Sequence, residues 1–225
     1  MIGDVIHRKL SEIYELKIDE NIAPKLRDQG LFELLVAVML SQNTSDENAW
    51  KAYGNIVSKV GSITPEKVLS ISVDELAELI KPAGMQYQRS RKIRDLATVF
   101  KSINPEQVVL DLISRGDYEE ARRYLMSLPG VGPKTADVIL LMKYGAPSFP
   151  VDTHITRITL RMGFITKRNY ESIRRFWMEN TTPKHYLSLH LLLITHGRKT
   201  CKARKPTCSS CVIREHCAMY LGRGK

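Results

Sequence analysis

Long apolar runs are missing from this sequence. The longest, Leu34 to Leu40, is seven residues, against the roughly 18 needed before a stretch reads as a membrane span. No segment is therefore expected to cross a bilayer. Long apolar/polar alternation is also missing, so no extended strand is expected, and neither a repeat at solenoid spacing nor a low-complexity tract occurs. The opening MIGDVIHRKLSEIYELK mixes acids with bases and lacks an apolar centre. It reads as an amphipathic helix and not as an export signal, which leads us to expect an intracellular protein, cytoplasmic or nucleoid-associated. Acids are scarce: 24 Asp and Glu against 34 Lys and Arg, a net charge of +10. Eight of those bases and one acid, Glu215, fall between Arg198 and Lys225, which points to a polyanionic partner.

What is present is helical. With 225 residues and 43% hydrophobic content, the chain can build one large core or two small ones. Ile6, Leu10, Ile13 and Tyr14 share one helical face, and Leu31 to Leu40 is apolar apart from Glu33, the pattern of a buried helix. Helices are expected over Thr44–Val60, Pro65–Ile71, Val73–Ile80, Gln86–Ser102, Asn104–Ile113 and Tyr118–Met126. Thr64-Pro65, Ser72 and Ser90 supply start signals. Further helices follow from near Lys134 to Gly145, from Asp152 to Met162, and over Asn169–Asn180 and Lys184–Gly197. Trp50 and Trp177, each within a helical period, are expected in the core.

Two stretches carry chemistry. Leu128 to Leu141 reads LPGVGPKTADVILL: a Gly-Val-Gly turn, a proline, then a helix. Gly130 and Gly132 can take positive φ and leave their amides uncovered, and the first N–H groups of the helix lack intrahelical acceptors, so the turn can hold a phosphate. Lys134 sits at that helix start, where its charge opposes the dipole. A residue that breaks a local rule suggests function.

The second stretch holds all the cysteines, Cys201, Cys208, Cys211 and Cys217, in a C-x6-C-x2-C-x5-C pattern. Disulfides are disfavoured without an export signal. Zinc is an alternative, although zinc ribbons usually bring two distant C-x2-C pairs and here there is one. Four thiolates in one short loop suit a [4Fe-4S] cluster. The loop has almost no apolar residues of its own, so a metal centre is expected to hold its shape. Lys199, Lys202, Arg204 and Lys205 in and beside it are candidate phosphate contacts.

With both stretches in view, the chain resembles the endonuclease III family of helix-hairpin-helix DNA glycosylases. The resemblance rests on LPGVGPKTADVIL; on VDTHITRI, Val151 to Ile158; on THGRKTCKARKPTCSSC, Thr195 to Cys211; on the cysteine spacing; and on LLVAVMLSQNTSD, Leu34 to Asp46. It runs from about Phe32 to Cys217. It implies an all-α, two-lobed fold with an iron-sulfur loop. A six-helix barrel-like block over 22–146 would carry the hairpin, and a second lobe of 1–21 and 147–225 would carry a [4Fe-4S] cluster on the four cysteines. A monomer is expected, acting on double-stranded DNA with damaged bases or abasic sites.

The activity implied is removal of an oxidised pyrimidine followed by β-elimination at the abasic site. Lys134 would be the nucleophile and Asp152 its carboxylate partner, with Gly130, Val131 and Gly132 on the DNA backbone. An amine attacking C1′ displaces the base and leaves a Schiff base that acidifies the C2′ proton. The dipole that disfavours an ammonium at the helix start favours the free amine, so the misplaced cation gains a reason. Asp152 before Thr-His-Ile-Thr is also a good N-cap, and the two roles are compatible. His154 and His196 are expected to be structural.

The chain departs from the family in one loop. Ser41 to Asp46 reads SQNTSD where the family more usually has Ser-Ala-Gln-Ala-Thr-Asp, so Asn43 stands where a glutamine fills the gap left by the flipped base, and Gln42 stands beside it. Met85, Tyr87 and Arg89 follow Lys81-Pro82-Ala83-Gly84, which resembles a turn near the opposite strand; Tyr87 is either a wedge or a surface anchor. Two other functions compete. One is a mismatch uracil or thymine glycosylase of the same superfamily; the other is a non-catalytic module that binds duplex backbone, for which Lys134 and Asp152 would be superfluous.

Overall fold

The computed structural model describes residues 1–16 and 25–222, and among them every long element is an α-helix. The chain divides into two compact units, Asp19–Ala146 and Met1–Ile18 with Pro147–Lys225. The lobe boundary expected at 21/22 lies outside the described residues, as do Arg223 and Lys225 of the basic tail. Helix α1, Ile2–Ser11, belongs to the second of these units.

The first unit is built around α2, Leu31–Ser41, whose residues Leu31, Phe32 and Leu34 to Leu40 are all buried. An all-apolar helix needs cover on every side, and α3 (Asp46–Val60), α6 (Gln86–Ser102) and α9 (Pro133–Tyr144) pack on it. Its polar exceptions are satisfied: Glu33 Oε1 accepts from the Tyr53 hydroxyl at 2.5 Å, and the Leu31 amide donates to Glu106 Oε2 at 2.9 Å. Between α3 and α6 lie α4, Pro65–Ser70, and α5, Val73–Ile80; α7 (Pro105–Ser114) and α8 (Tyr118–Ser127) lead into the glycine turn.

Side-chain caps set several starts, each accepting from the amide three residues on. Ser45, Thr64, Ser72 and Asn104 do this for α3, α4, α5 and α7. Helix α3 thus begins at Asp46 and not at Thr44. Ser90 caps nothing: it is buried inside α6 and donates to the Tyr87 carbonyl.

One buried ion pair ties the hairpin helices together. Arg122 of α8 donates from Nε to Asp137 Oδ1 at 2.8 Å and from Nη2 to Oδ2 at 3.3 Å, and Asp137 on α9 is 0% exposed. Removing one partner leaves the other charge buried and uncompensated. Asp137→Ala is therefore expected to lower stability by about 3–5 kcal/mol, read as a fall in the urea midpoint; a loss under about 1 kcal/mol would show that the guanidinium finds other acceptors.

In the second unit α1 packs on α12 (Tyr186–Lys199), and α10 (Thr153–Met162) packs on α11 (Tyr170–Glu179) and α12. Trp177 is fully buried there and donates to Thr159 Oγ1 at 2.8 Å. One core assignment fails, and the face expected of α1 is incomplete. Trp50 is half-buried, with Lys25 Nζ 5.1 Å from its ring centroid, because α3 turns that side toward solvent. Ile13 is 48% exposed since α1 ends at Ser11, while Tyr14, past the helix end, is buried with its hydroxyl on Thr200 Oγ1 and His196 Nδ1 at 2.7 and 3.1 Å.

Candidate active site and cysteine loop

The glycine turn is set by two different demands. Gly130 has φ of 79°, so the backbone favours glycine there; a Cβ would lie 2.5 Å from Met39 Cε, the far end of a flexible side chain on the central helix. Gly132 departs from the expected positive φ: it is extended, with φ −98° and ψ 177°, and caps α9. A Cβ at Gly132 would meet nothing within 4 Å, so neither conformation nor packing within the chain calls for glycine. What glycine provides is an uncovered amide.

Val131 differs from its neighbours. Its side chain is buried and its amide donates to the Leu128 carbonyl at 3.1 Å. The amides of Gly130, Gly132 and Lys134 have no acceptor among the described residues. They lie at the positive end of the α9 dipole, where an anion is favoured. Lys134 is the second residue of α9, and its side chain is exposed.

Behind Lys134, Thr135 Oγ1 accepts from Gln42 Nε2 at 3.2 Å. Gln42 is thereby turned toward the lysine helix. Asn43 is exposed in the left-handed conformation, φ 55°. Met85 and Tyr87 are each 56% exposed.

Asp152, in the other unit, is the N-cap of α10: Oδ1 accepts from the Ile155 amide at 2.7 Å. Oδ2 has no partner among the described residues. One carboxylate thus has an oxygen for the cap and one to spare.

The four cysteines form no disulfide and line one pocket, with about 380 Å3 of empty space counting the solvent at its mouth. Burial pushes the Cys211 thiol up, and the charges of the other three would raise it further. Thiols in this position ionise readily only around a cation, as iron or zinc would provide. Four thiolates can hold either a zinc ion or an iron-sulfur cluster; among the described residues no group of three or more His, Cys, Asp or Glu is placed to grip one ion. Four thiols lining one pocket are a donor set that suits an iron-sulfur cluster.

Two residues missed in the sequence reading hold this loop. Arg157 donates to the carbonyls of Cys201 and Gly197, each at 2.9 Å; Arg161 donates to those of Lys202 and Ala203 at 2.7 and 3.0 Å and to Cys201 Sγ at 3.3 Å. Their i, i+4 spacing on α10 was the available signal. Ile213, within the loop between Cys211 and Cys217, is itself buried. The loop's shape therefore does not rest on a metal alone. His196 is buried, and burial lowers its pKa to about 4; its Nε2 lies 3.6 Å from Cys211 Sγ. His154 Nδ1 contacts Arg157 Nη2 at 3.0 Å. Lys199, Lys202, Arg204 and Lys205 are exposed, with Lys199 Nζ 5.6 Å from the Tyr14 ring centroid.

Comparison with known proteins identifies the family. Residues 36–183 match the model of the HhH-GPD superfamily base excision DNA repair protein. Endonuclease III of Sulfolobus acidocaldarius is 35% identical over 223 residues, 98% of this chain and 97% of that protein. The Escherichia coli enzyme of the same name is 34% identical over 186 residues, 83% and 82% of the two chains. The structure of a trapped endonuclease III–DNA covalent intermediate superposes with a TM-score of 0.74 at 27% identity, covering 100% of both chains. The chain belongs to the endonuclease III family of HhH-GPD base excision DNA repair proteins, and it is an enzyme, a DNA glycosylase and abasic-site lyase.

Proposed function

We propose that this enzyme removes oxidised pyrimidines from duplex DNA and that Lys134 is its nucleophile. The observation that carries the reading is an exposed lysine in the first turn of a helix, beside three amides without acceptors. A cation at that position lowers helix stability, so a chemical role gives a reason for it. The neutral amine attacks C1′ as the glycosidic bond breaks and the pair of electrons leaves with the base. Loss of a proton from C2′ then expels the 3′ phosphate, and water releases the amine.

Asp152 acts as cap and as electrostatic partner at once, its free oxygen stabilising positive charge that develops on the sugar. The amides of Gly130, Gly132 and Lys134 hold a backbone phosphate. Val131 serves by anchoring the turn, since its own amide is occupied. Asn43 is the residue that fills the gap left by the extruded base, because the amide of Gln42 is engaged by Thr135. Exposed Lys199, Lys202, Arg204 and Lys205 add phosphate contacts along the cysteine loop. Cys201, Cys208, Cys211 and Cys217 would hold a [4Fe-4S] cluster, which would supply a structural core to that loop. The protein acts as a monomer on nucleoid DNA.

The test is a panel of duplexes carrying thymine glycol, dihydrouracil, uracil or 8-oxoguanine, with an abasic duplex as reference. Excision with strand nicking is expected on the first two. Preference for uracil would instead identify a mismatch-type glycosylase, and retardation of every duplex without nicking would identify a binding module.

A further inference from the structure

Arg89 is 5% exposed at the start of α6, yet it has no carboxylate partner among the described residues. Its guanidinium ends on main-chain carbonyls. Nη1 donates to the oxygens of Ala83 and Gly84, and Nη2 donates to that of Gln42, each at 2.7 Å. Burial works against the charge, and three carbonyl dipoles stand in for a counter-ion.

Those carbonyls belong to two loops far apart in sequence. One runs from the turn Lys81–Ala83 to Met85, and the other leaves the end of α2. Each contains a non-glycine residue in left-handed backbone, Met85 with φ 51° and Asn43 with φ 55°. Such conformations persist only where the surroundings over-determine them. The guanidinium is the group that touches both loops, fixing the residue before Asn43 and the two residues before Met85. Each strained residue is then presented to solvent. From Gln42 the connection continues through Nε2 to Thr135, the neighbour of Lys134.

We propose that Arg89 is a positioning residue: it locks the Asn43 and Met85 loops into one rigid pair at a set distance from the lysine helix, as needed to occupy the gap in a duplex whose nucleotide has been extruded. The proposal rests on the reading of Asn43 and Lys134 given above. It predicts that Arg89 matters where a gap exists and not otherwise. An abasic site in a duplex leaves an opposing base to be managed; the same site in a single strand leaves none.

The experiment compares strand nicking at one abasic site, in duplex and in single-stranded form, for the wild type, Arg89→Met, Arg89→Lys and Lys134→Gln. Arg89→Met is expected to slow nicking of the duplex by roughly 10- to 100-fold and to leave the single strand within about twofold. Arg89→Lys, with donors for one or two carbonyls, should fall between, and it decides the matter if the methionine variant does not fold. Equal losses on both substrates, or an unchanged duplex rate, would overturn the proposal. The Lys134→Gln arm is separate: full activity there would sink the nucleophile assignment, whatever the Arg89 ratio.

Discussion

Lys134→Gln is expected to abolish both strand nicking and the covalent adduct that borohydride traps, a loss of roughly 10^3-fold or more. Glutamine keeps the helix propensity of lysine, is one atom shorter and has no basic amine. The side chain is exposed, so no packing is lost. Removing a cation from the first turn of α9 should if anything raise stability, by up to about 1 kcal/mol. The variant thus separates chemistry from folding: a thermal midpoint equal to or above that of the wild type, with no adduct. DNA binding should survive, because the amides proposed to hold phosphate are main-chain groups. Equal trapping by the variant and the wild type would remove Lys134 from its role.

The second large effect is expected at Asp152, where two roles coincide in one side chain. Asparagine keeps the cap, since its carbonyl oxygen can accept from the Ile155 amide as Oδ1 does. It loses the charge. Asp152→Asn should therefore fold normally, within about 0.5 kcal/mol of the wild type, while base excision falls roughly 10^2- to 10^3-fold. Nicking of an abasic site, where no glycosidic bond remains to be broken, should fall less. Asp152→Ala should add a loss of about 1 kcal/mol in stability through the missing cap. An asparagine variant that excises bases at the normal rate would leave Asp152 as a cap alone.

Local signals were legible in the sequence and long-range partners were not. Ser72 before Val73–Ile80 and the apolar run of the central helix could be read directly, because caps and periodicity act over three or four residues. Gly130 could also be read, although its contact with Met39 could not. Gly132 looked like its neighbour but is extended, since the sequence does not say which of two close glycines reverses the chain. Arg89 could be placed after the turn Lys81-Pro82-Ala83-Gly84, but its burial depends on carbonyls at Ala83, Gly84 and Gln42, which only folding brings together. Arg157 and Arg161 were passed over for the same reason. The loop they stitch begins 40 residues after them, so the cysteines drew attention and the residues that shape the loop did not.

The most direct measurement of the central claim is to trap the enzyme on an abasic duplex with borohydride, digest the adduct and locate the modified residue by mass spectrometry. The account predicts a sugar fragment reduced onto the amine of Lys134, in the peptide that follows the glycine turn. Modification of the N-terminal amine or of any other lysine in place of Lys134 would contradict it.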